Sequence, residues 1–198
     1  MRKGHLLLYG LLLMTFSAQA QLFKGGVSLG LLASQVDGDN MEGYHKPGVF
    51  AGVYAFLPIK EGKWQLQGEL DYMQKGCKAA NEQGEGVLNT YHATFHQIGM
   101  PLIVQWNCLK TYRLEIGASF NMTPRISISR NGERWDATND DTYRFFECGG
   151  VCGLHWQGEG HWGAHLRLLY SLSPAGKSLY SVHGLRHNSL LLHATYTF

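Results

Sequence analysis

The chain has 198 residues, of which 16% are charged, 12% are aromatic and 25 are glycine, whereas an ordinary soluble domain carries about 25% charge. Its formal net charge of +2 vanishes once a basic leader is set aside, so nothing favours a nucleic-acid binder, which needs a clustered basic surface. Low charge with abundant glycine and aromatics excludes disorder and coiled coil, and is an odd surface for a soluble protein.

Residues 1–20 read as a cleaved export signal. Arg2 and Lys3 form a positive start, Leu6 to Met14 is a short apolar core, and Ser17-Ala18-Gln19-Ala20 fits small-x-small cleavage before Gln21. Nine apolar residues make about 13 Å of helix, too short for a hydrocarbon core of about 30 Å. Residues 21–198 then form one domain.

Period-two alternation, the mark of a strand with one apolar and one polar face, runs through the rest. Two less regular segments, 24–34 and 47–58, come first. In 64–75, Trp64, Leu66, Leu70 and Tyr72 oppose Gln65, Gln67, Glu69, Asp71 and Lys75. In 98–106, Ile98, Met100, Leu102, Val104 and Trp106 share a face, and in 112–122 Tyr112, Leu114, Ile116, Ala118, Phe120 and Met122 do. Segment 145–157 is less clean. In 162–173, Trp162, Leu166, Leu168 and Tyr170 oppose His165, Arg167 and Ser171, and in 190–198 Leu190, Leu192, Tyr196 and Phe198 oppose Leu191, His193 and Thr195. The count is eight.

Connections alternate long (35–46, 77–94, 123–144, 174–188) and short (59–63, 107–111, 158–160), the spacing of an even-stranded membrane barrel with periplasmic turns and external loops. Gly158-Glu159-Gly160 suggests a three-residue hairpin loop in which Gln157 faces His161. Aromatics cluster at both ends of the apolar faces: Trp64, Trp106, Tyr112, Trp156, Trp162 and Phe198 at one, Tyr72, Phe120, Phe146 and Tyr170 at the other. They fit two interfacial girdles. The predicted fold is therefore all-β, an eight-stranded antiparallel up-and-down transmembrane β-barrel in a bacterial outer membrane, both termini periplasmic. A soluble lipocalin-like ligand-binding barrel, with the apolar face inside, is the alternative; its exterior would need far more charge than these polar faces carry.

The polar faces place Gln65, Gln67, Glu69, Asp71, Gln97, Gln105, Arg113, Glu115, Glu147, His155, His165, Arg167 and His193 in the lumen. Eight strands leave room only for side chains, so these residues should plug the bore as a paired network, and no channel is expected. A lipid-modifying enzyme is the competing function. It needs a nucleophile, a histidine and an acid within hydrogen-bond reach. His165 lies about 20–26 Å along the strand from Ser171 and Ser173, and His193 with Thr195 faces the lumen. No catalytic residue, cofactor site or metal site is assigned. Histidines four apart (His92 and His96, His161 and His165) lie about 13 Å apart on a strand, and only His183 and His187, in a loop, keep a metal option. The same spacing separates Cys148 from Cys152, beyond disulfide reach; with Cys77 and Cys108 they are expected as free, mostly lipid-facing or interfacial thiols. Loop 123–144, with Arg125, Arg130, Arg134, Trp135 and Asn139-Asp140-Asp141, suits contact with an envelope protein or another surface.

Several short motifs carry a family likeness: Gly25-Gly26-Val27-Ser28-Leu29-Gly30, Lys46-Pro47-Gly48-Val49-Phe50-Ala51-Gly52, residues 66–76 (LQGELDYMQKG) and Gln97-Ile98-Gly99-Met100-Pro101-Leu102. Together they resemble the PorT-like outer-membrane β-barrel family of Bacteroidetes, with Gly99-Met100 departing from the usual residues before the proline. The final strand ending in Phe198 resembles the C-terminal assembly signal of such barrels. The resemblance implies the fold, an outer-membrane location, contact with membrane lipid and with the barrel-assembly machinery, and a structural or interaction role such as accessory service to a secretion system. It carries no catalytic residue onto this chain.

Overall fold

The computed structural model describes residues 23–37, 46–83, 87–177 and 184–198. The predicted signal segment and His183 lie outside the described residues. Among the described residues nine strands form: β1 (Lys24–Asp37), β2 (Lys46–Ile59), β3 (Trp64–Gln83), β4 (Val87–Asn107), β5 (Tyr112–Arg130), β6 (Glu133–Asp136), β7 (Phe146–Gln157), β8 (Trp162–Ser171) and β9 (Arg186–Thr197). All pairings are antiparallel, and the sheet order β4-β3-β2-β1-β9-β8-β7-β5 is closed by a β4–β5 pairing. Eight staves thus make a closed barrel. The short β6 hangs on the upper half of β5 alone.

The apolar faces point outward. Leu29, Leu31, Leu70, Leu102, Ile116, Leu168 and Leu192 are exposed, while Gln65, Asp71, Gln97, Gln105, Glu115, Glu147, His155, His165, Arg167 and His193 are buried inside. That excludes the lipocalin-like alternative, whose apolar side chains would fill the lumen. The exposed residues Trp64, Trp106, Tyr112, Trp156 and Trp162 ring the short-turn end, and Tyr72, Phe120, Phe146 and Tyr170 the other. Trp64 faces Trp106 across β3 and β4 with ring centroids 6.1 Å apart. Ile116, 68% exposed, sits midway between the girdles. Ile116→Arg is expected to cost about 2–4 kcal/mol, the price of an arginine at a bilayer midplane. A urea titration of the barrel refolded in lipid vesicles reads it; an unchanged midpoint would mean that this face does not meet lipid.

Three local expectations are corrected. Segment 77–94 is not a loop: β3 and β4 stay paired from Cys77↔Ala93 up to Gln83↔Val87. Past the membrane there is no lipid face to demand apolar side chains, so alternation fades while the ladder continues. Likewise β5 runs on to Arg130, and Asn131 (φ 52°) with Gly132 (φ 90°) turns it into β6, the left-handed pair that a tight hairpin needs. A register shift opposite His96 and Ile98 places a bulge at Thr123 and Pro124 of β5, where proline has no N–H for the ladder. The bulge inverts the strand's inside–outside phase: Asn121 and Thr123 point inward below it, Ile126 and Ile128 above it. The third correction concerns the β7–β8 hairpin, whose register is Gln157↔Gly163 rather than Gln157↔His161, with Gly160 (φ 76°) in the turn.

Candidate functional site

The lumen is filled in layers that follow from the inward residues of each strand. Nearest the short turns, Arg113 donates to Asn107 Oδ1 (2.7 Å) and Gln157 Oε1 (3.2 Å). Above it lies a charged cluster centred on Arg167, which is 1% exposed. Its Nη1 and Nη2 each donate to Glu69 at 2.8 Å, and its Nε donates to Glu115 at 2.7 Å. Gln105 Nε2 donates to both Glu115 (2.7 Å) and Gln67 (2.9 Å). The planar guanidinium fork suits two carboxylates at once, and this satisfies the condition under which buried charge survives.

Three histidines stack beside this cluster. The β7–β8 and β8–β9 registers set His155 opposite His165 and His165 opposite His193. The rings lie nearly parallel, with centroids 3.8 Å and 4.4 Å apart. Glu115, His155 and His165 bring one ligand atom each within 4.8 Å of one another. Parallel stacked rings aim their in-plane lone pairs side by side rather than at a common point, and Glu115 is engaged by Arg167, so the trio serves as polar packing. Spacing along single strands does not reveal this ladder, and the two-residue difference in hairpin register conceals the pairing of His155 with His165.

An apolar layer of Leu32, Phe50, Met73, Ile103, Val151, Leu169 and Leu191 closes the middle of the bore. A second charged cluster follows, with Glu147 at its centre. Ser171 Oγ donates to it at 2.7 Å, Gln97 Nε2 donates at 3.2 Å, His187 Nδ1 lies at 2.7 Å and Lys75 Nζ at 3.8 Å. Ser171 therefore binds the acid directly, with no histidine ring between them, and the Ser–His–acid order that activates a nucleophile is not built here. Thr195 meets His165 Nε2 at 3.3 Å inside the lumen. A final apolar layer of Val36, Cys77, Ala93, Phe95, Ile126, Ile128 and Ala137 caps the bore, with Tyr143 and Leu185 packed on it. The connections above it are tied together by Arg144 N–H to Ala175 O (2.8 Å) and Ala175 N–H to Leu185 O (2.7 Å).

Cys77 therefore points into the barrel, against the expectation of a lipid-facing or interfacial thiol, whereas Cys148 and Cys152 are exposed and unbridged as read from their spacing. The outer wall carries the second feature. Above the Tyr72 girdle, the outward residues of β3 to β6 enclose a cleft of about 520 Å3 lined by Gln74, His92, His96, Arg125, Arg134 and Asp136, among others. Arg125, Arg134 and Trp135 of the predicted contact segment thus come together, because the Asn131-Gly132 turn folds β6 back along β5.

No curated relative matches the chain. Among solved structures it is similar to the attachment invasion locus protein Ail of Yersinia pestis, at 13% identity over 89% of this chain and 99% of that one, with a TM-score of 0.50. Neisserial surface protein A is similar at 14% identity over 88% and 97%, with a TM-score of 0.54. At such identities these matches bear on the fold alone, and the fold agrees. The family model described as outer membrane protein beta-barrel domain matches residues 18–175, and with the lipid-facing apolar wall this places the protein in the bacterial outer membrane as a member of the outer membrane protein beta-barrel domain family.

Proposed function

We propose that the protein is a non-conducting, non-enzymatic barrel that works at its extracellular end, as a surface or envelope contact protein of the PorT-like branch of its family. The observation that carries this reading is the combination of a plugged bore with a wall that continues outside it. Two charged clusters and two apolar layers fill the lumen. The paired strands β3 to β6 meanwhile extend past the girdle as a ledge whose outward face is polar, a surface that barrel closure alone does not require. The PorT-like motifs in residues 66–76 and 97–102 support the branch. Recognition of the last strand by the barrel-assembly machinery is part of the same proposal.

Two experiments test it. In planar bilayers the purified barrel is expected to pass no stepwise current; stable conductance steps would overturn the closed-bore reading. In intact cells, a photo-crosslinking residue at Arg130 or Trp135 is expected to capture envelope or extracellular partners, while the same probe at Lys60 or Glu159 in the short turns captures none. Adducts confined to the short turns would move the function to the periplasmic side.

A further inference from the structure

We propose that the outer cleft between β3, β4, β5 and β6 holds a phosphate group of an outer-leaflet glycolipid. The proposal rests on where the cleft lies, what lines it and which way it opens. Its position follows from the strands. His96 stands ten residues beyond Trp106 on β4, which at about 3.3 Å per residue and a tilt of about 35–45° is roughly 23–27 Å along the membrane normal. The apolar band of an outer-membrane barrel is about 25 Å tall. His96 is therefore at the outer edge of the hydrocarbon, and it is hydrogen-bonded to the girdle residue Tyr72, Oη to Nδ1 2.7 Å. Arg125 is the cross-strand partner of His96 on β5, so it stands at about the same height. The cleft spans the layer in which lipid headgroups sit.

Its lining is cationic. Arg125 and Arg134 share it with one carboxylate, Asp136, and with His92, Gln74 and Ser127 as further donors. Asp136 is ionised and offsets part of this charge, yet it occupies few of the guanidinium donors. Its Oδ1 accepts from the Thr138 hydroxyl and amide, which hold the carboxyl below its ordinary range. Its Oδ2 is 4.0 Å from Arg125 Nε, in a pair more than half exposed on both sides, where ion pairing is weak. The guanidinium groups thus keep donors for a tetrahedral anion, which arginine binds in bidentate fashion.

The direction of opening selects the source. Gln74, Thr94, His96, Arg125 and Ser127 have the outward phase of their strands, the phase that carries Tyr72 and Ile98 below them and, through the Pro124 bulge, Phe120 and Met122. They look sideways into the leaflet, not up into the medium or into the lumen. A ligand with acyl chains lying on the exposed Leu70, Met100 and Phe120 brings its headgroup phosphate to this height.

The test uses the full-length barrel in detergent micelles, by native mass spectrometry, with bisphosphorylated lipid A, its dephosphorylated form, inorganic phosphate and a soluble sulfated oligosaccharide as separate probes. Retention of phosphorylated lipid A is expected to exceed that of the dephosphorylated form at least about tenfold, the yield of one or two charge-assisted hydrogen bonds. Arg125→Gln with Arg134→Gln should erase that difference, and Asp136→Asn should raise retention of the phosphorylated lipid. All three positions are exposed, and heat-modifiable gel mobility confirms that each variant is folded. Equal retention of the two lipids, or a double variant that binds like the parent, overturns the site. Inorganic phosphate or the soluble sulfated sugar binding as well as the lipid overturns the assignment to a lipid headgroup. Neither result bears on the crosslinking test of surface contact, so the two readings fail separately.

Discussion

Arg167→Met is expected to destabilise the folded barrel by about 3–5 kcal/mol, the cost of removing one partner from a buried ion network. The side chain is 1% exposed and joins two carboxylates from different staves, Glu69 on β3 and Glu115 on β5. Without it both acids stay in a dry bore. Glu115 would retain Gln105 at 2.7 Å and His165 at 3.0 Å, while Glu69 would retain Gln67 and a second acid, Asp71. Glu69 is therefore the group that suffers most. Arg167→Lys should give an intermediate loss, because a point charge on a flexible stem cannot satisfy both acids in fixed geometry. Arg167→Met combined with Glu69→Gln and Glu115→Gln should recover most of the stability, since a network emptied of charge as a whole no longer contains an unpaired ion. Urea titration in vesicles, followed by the heat-modifiable band, separates these variants. A single Arg167→Met with an unchanged midpoint would show that water reaches the cluster.

The division between what was and was not legible beforehand follows the membrane. Within the apolar band each strand has lipid on one side and a narrow bore on the other, so side-chain polarity must alternate, and the inward set from Gln65 to His193 could be read directly. Above the band the outward face turns polar while the inward one carries Ala93, Phe95, Ile126 and Ile128, and β3 to β6 lost their apolar-out signature there although their ladders continue. Asn131-Gly132 was a readable hairpin signal, but the Pro124 bulge upstream had inverted the phase that would have led to it. Hairpin register shows another limit of period two. A one-residue slip exchanges faces and is excluded, whereas the two-residue difference between Gln157↔His161 and Gln157↔Gly163 leaves every face unchanged. That residual freedom hid the contact of His155 with His165. Glycine content was legible as an oddity and finds its reason in the bore: a Cβ on Gly30 would lie 2.4 Å from His193 Cβ, and one on Gly153 would lie 2.8 Å from Arg167 Cγ. Small residues opposite large ones let eight staves close around these side chains.

The second charged cluster should respond asymmetrically to loss of its members. Glu147→Ala is expected to cost about 3–5 kcal/mol, because it strands the fully enclosed ammonium of Lys75 and removes the acceptor shared by Ser171, His187 and Gln97. Lys75→Met should cost no more than about 1–2 kcal/mol, because Glu147 keeps hydrogen bonds from neutral donors and the methionine fills the vacated space. Lys75→Met with Glu147→Gln should then be less damaging than Glu147→Ala alone, with a coupling of about 1–3 kcal/mol in the double-mutant cycle closed by the single variants Lys75→Met and Glu147→Gln. A local readout separates this from general weakening of the barrel. Glu147 holds His187 at the start of β9, whose amide also donates to Ser171 Oγ at 3.0 Å, and the neighbouring Arg186 donates to Leu172 O at 3.0 Å. These bonds fix the base of the connection that covers the bore through Ala175 and Leu185. Amide hydrogen exchange at Ala175 and Leu185 should therefore accelerate in Glu147→Ala and stay near the parent rate in Lys75→Met. Additive losses in the cycle, with unchanged exchange at both amides, would mean that Glu147 and Lys75 are independent and that the cover is held from above.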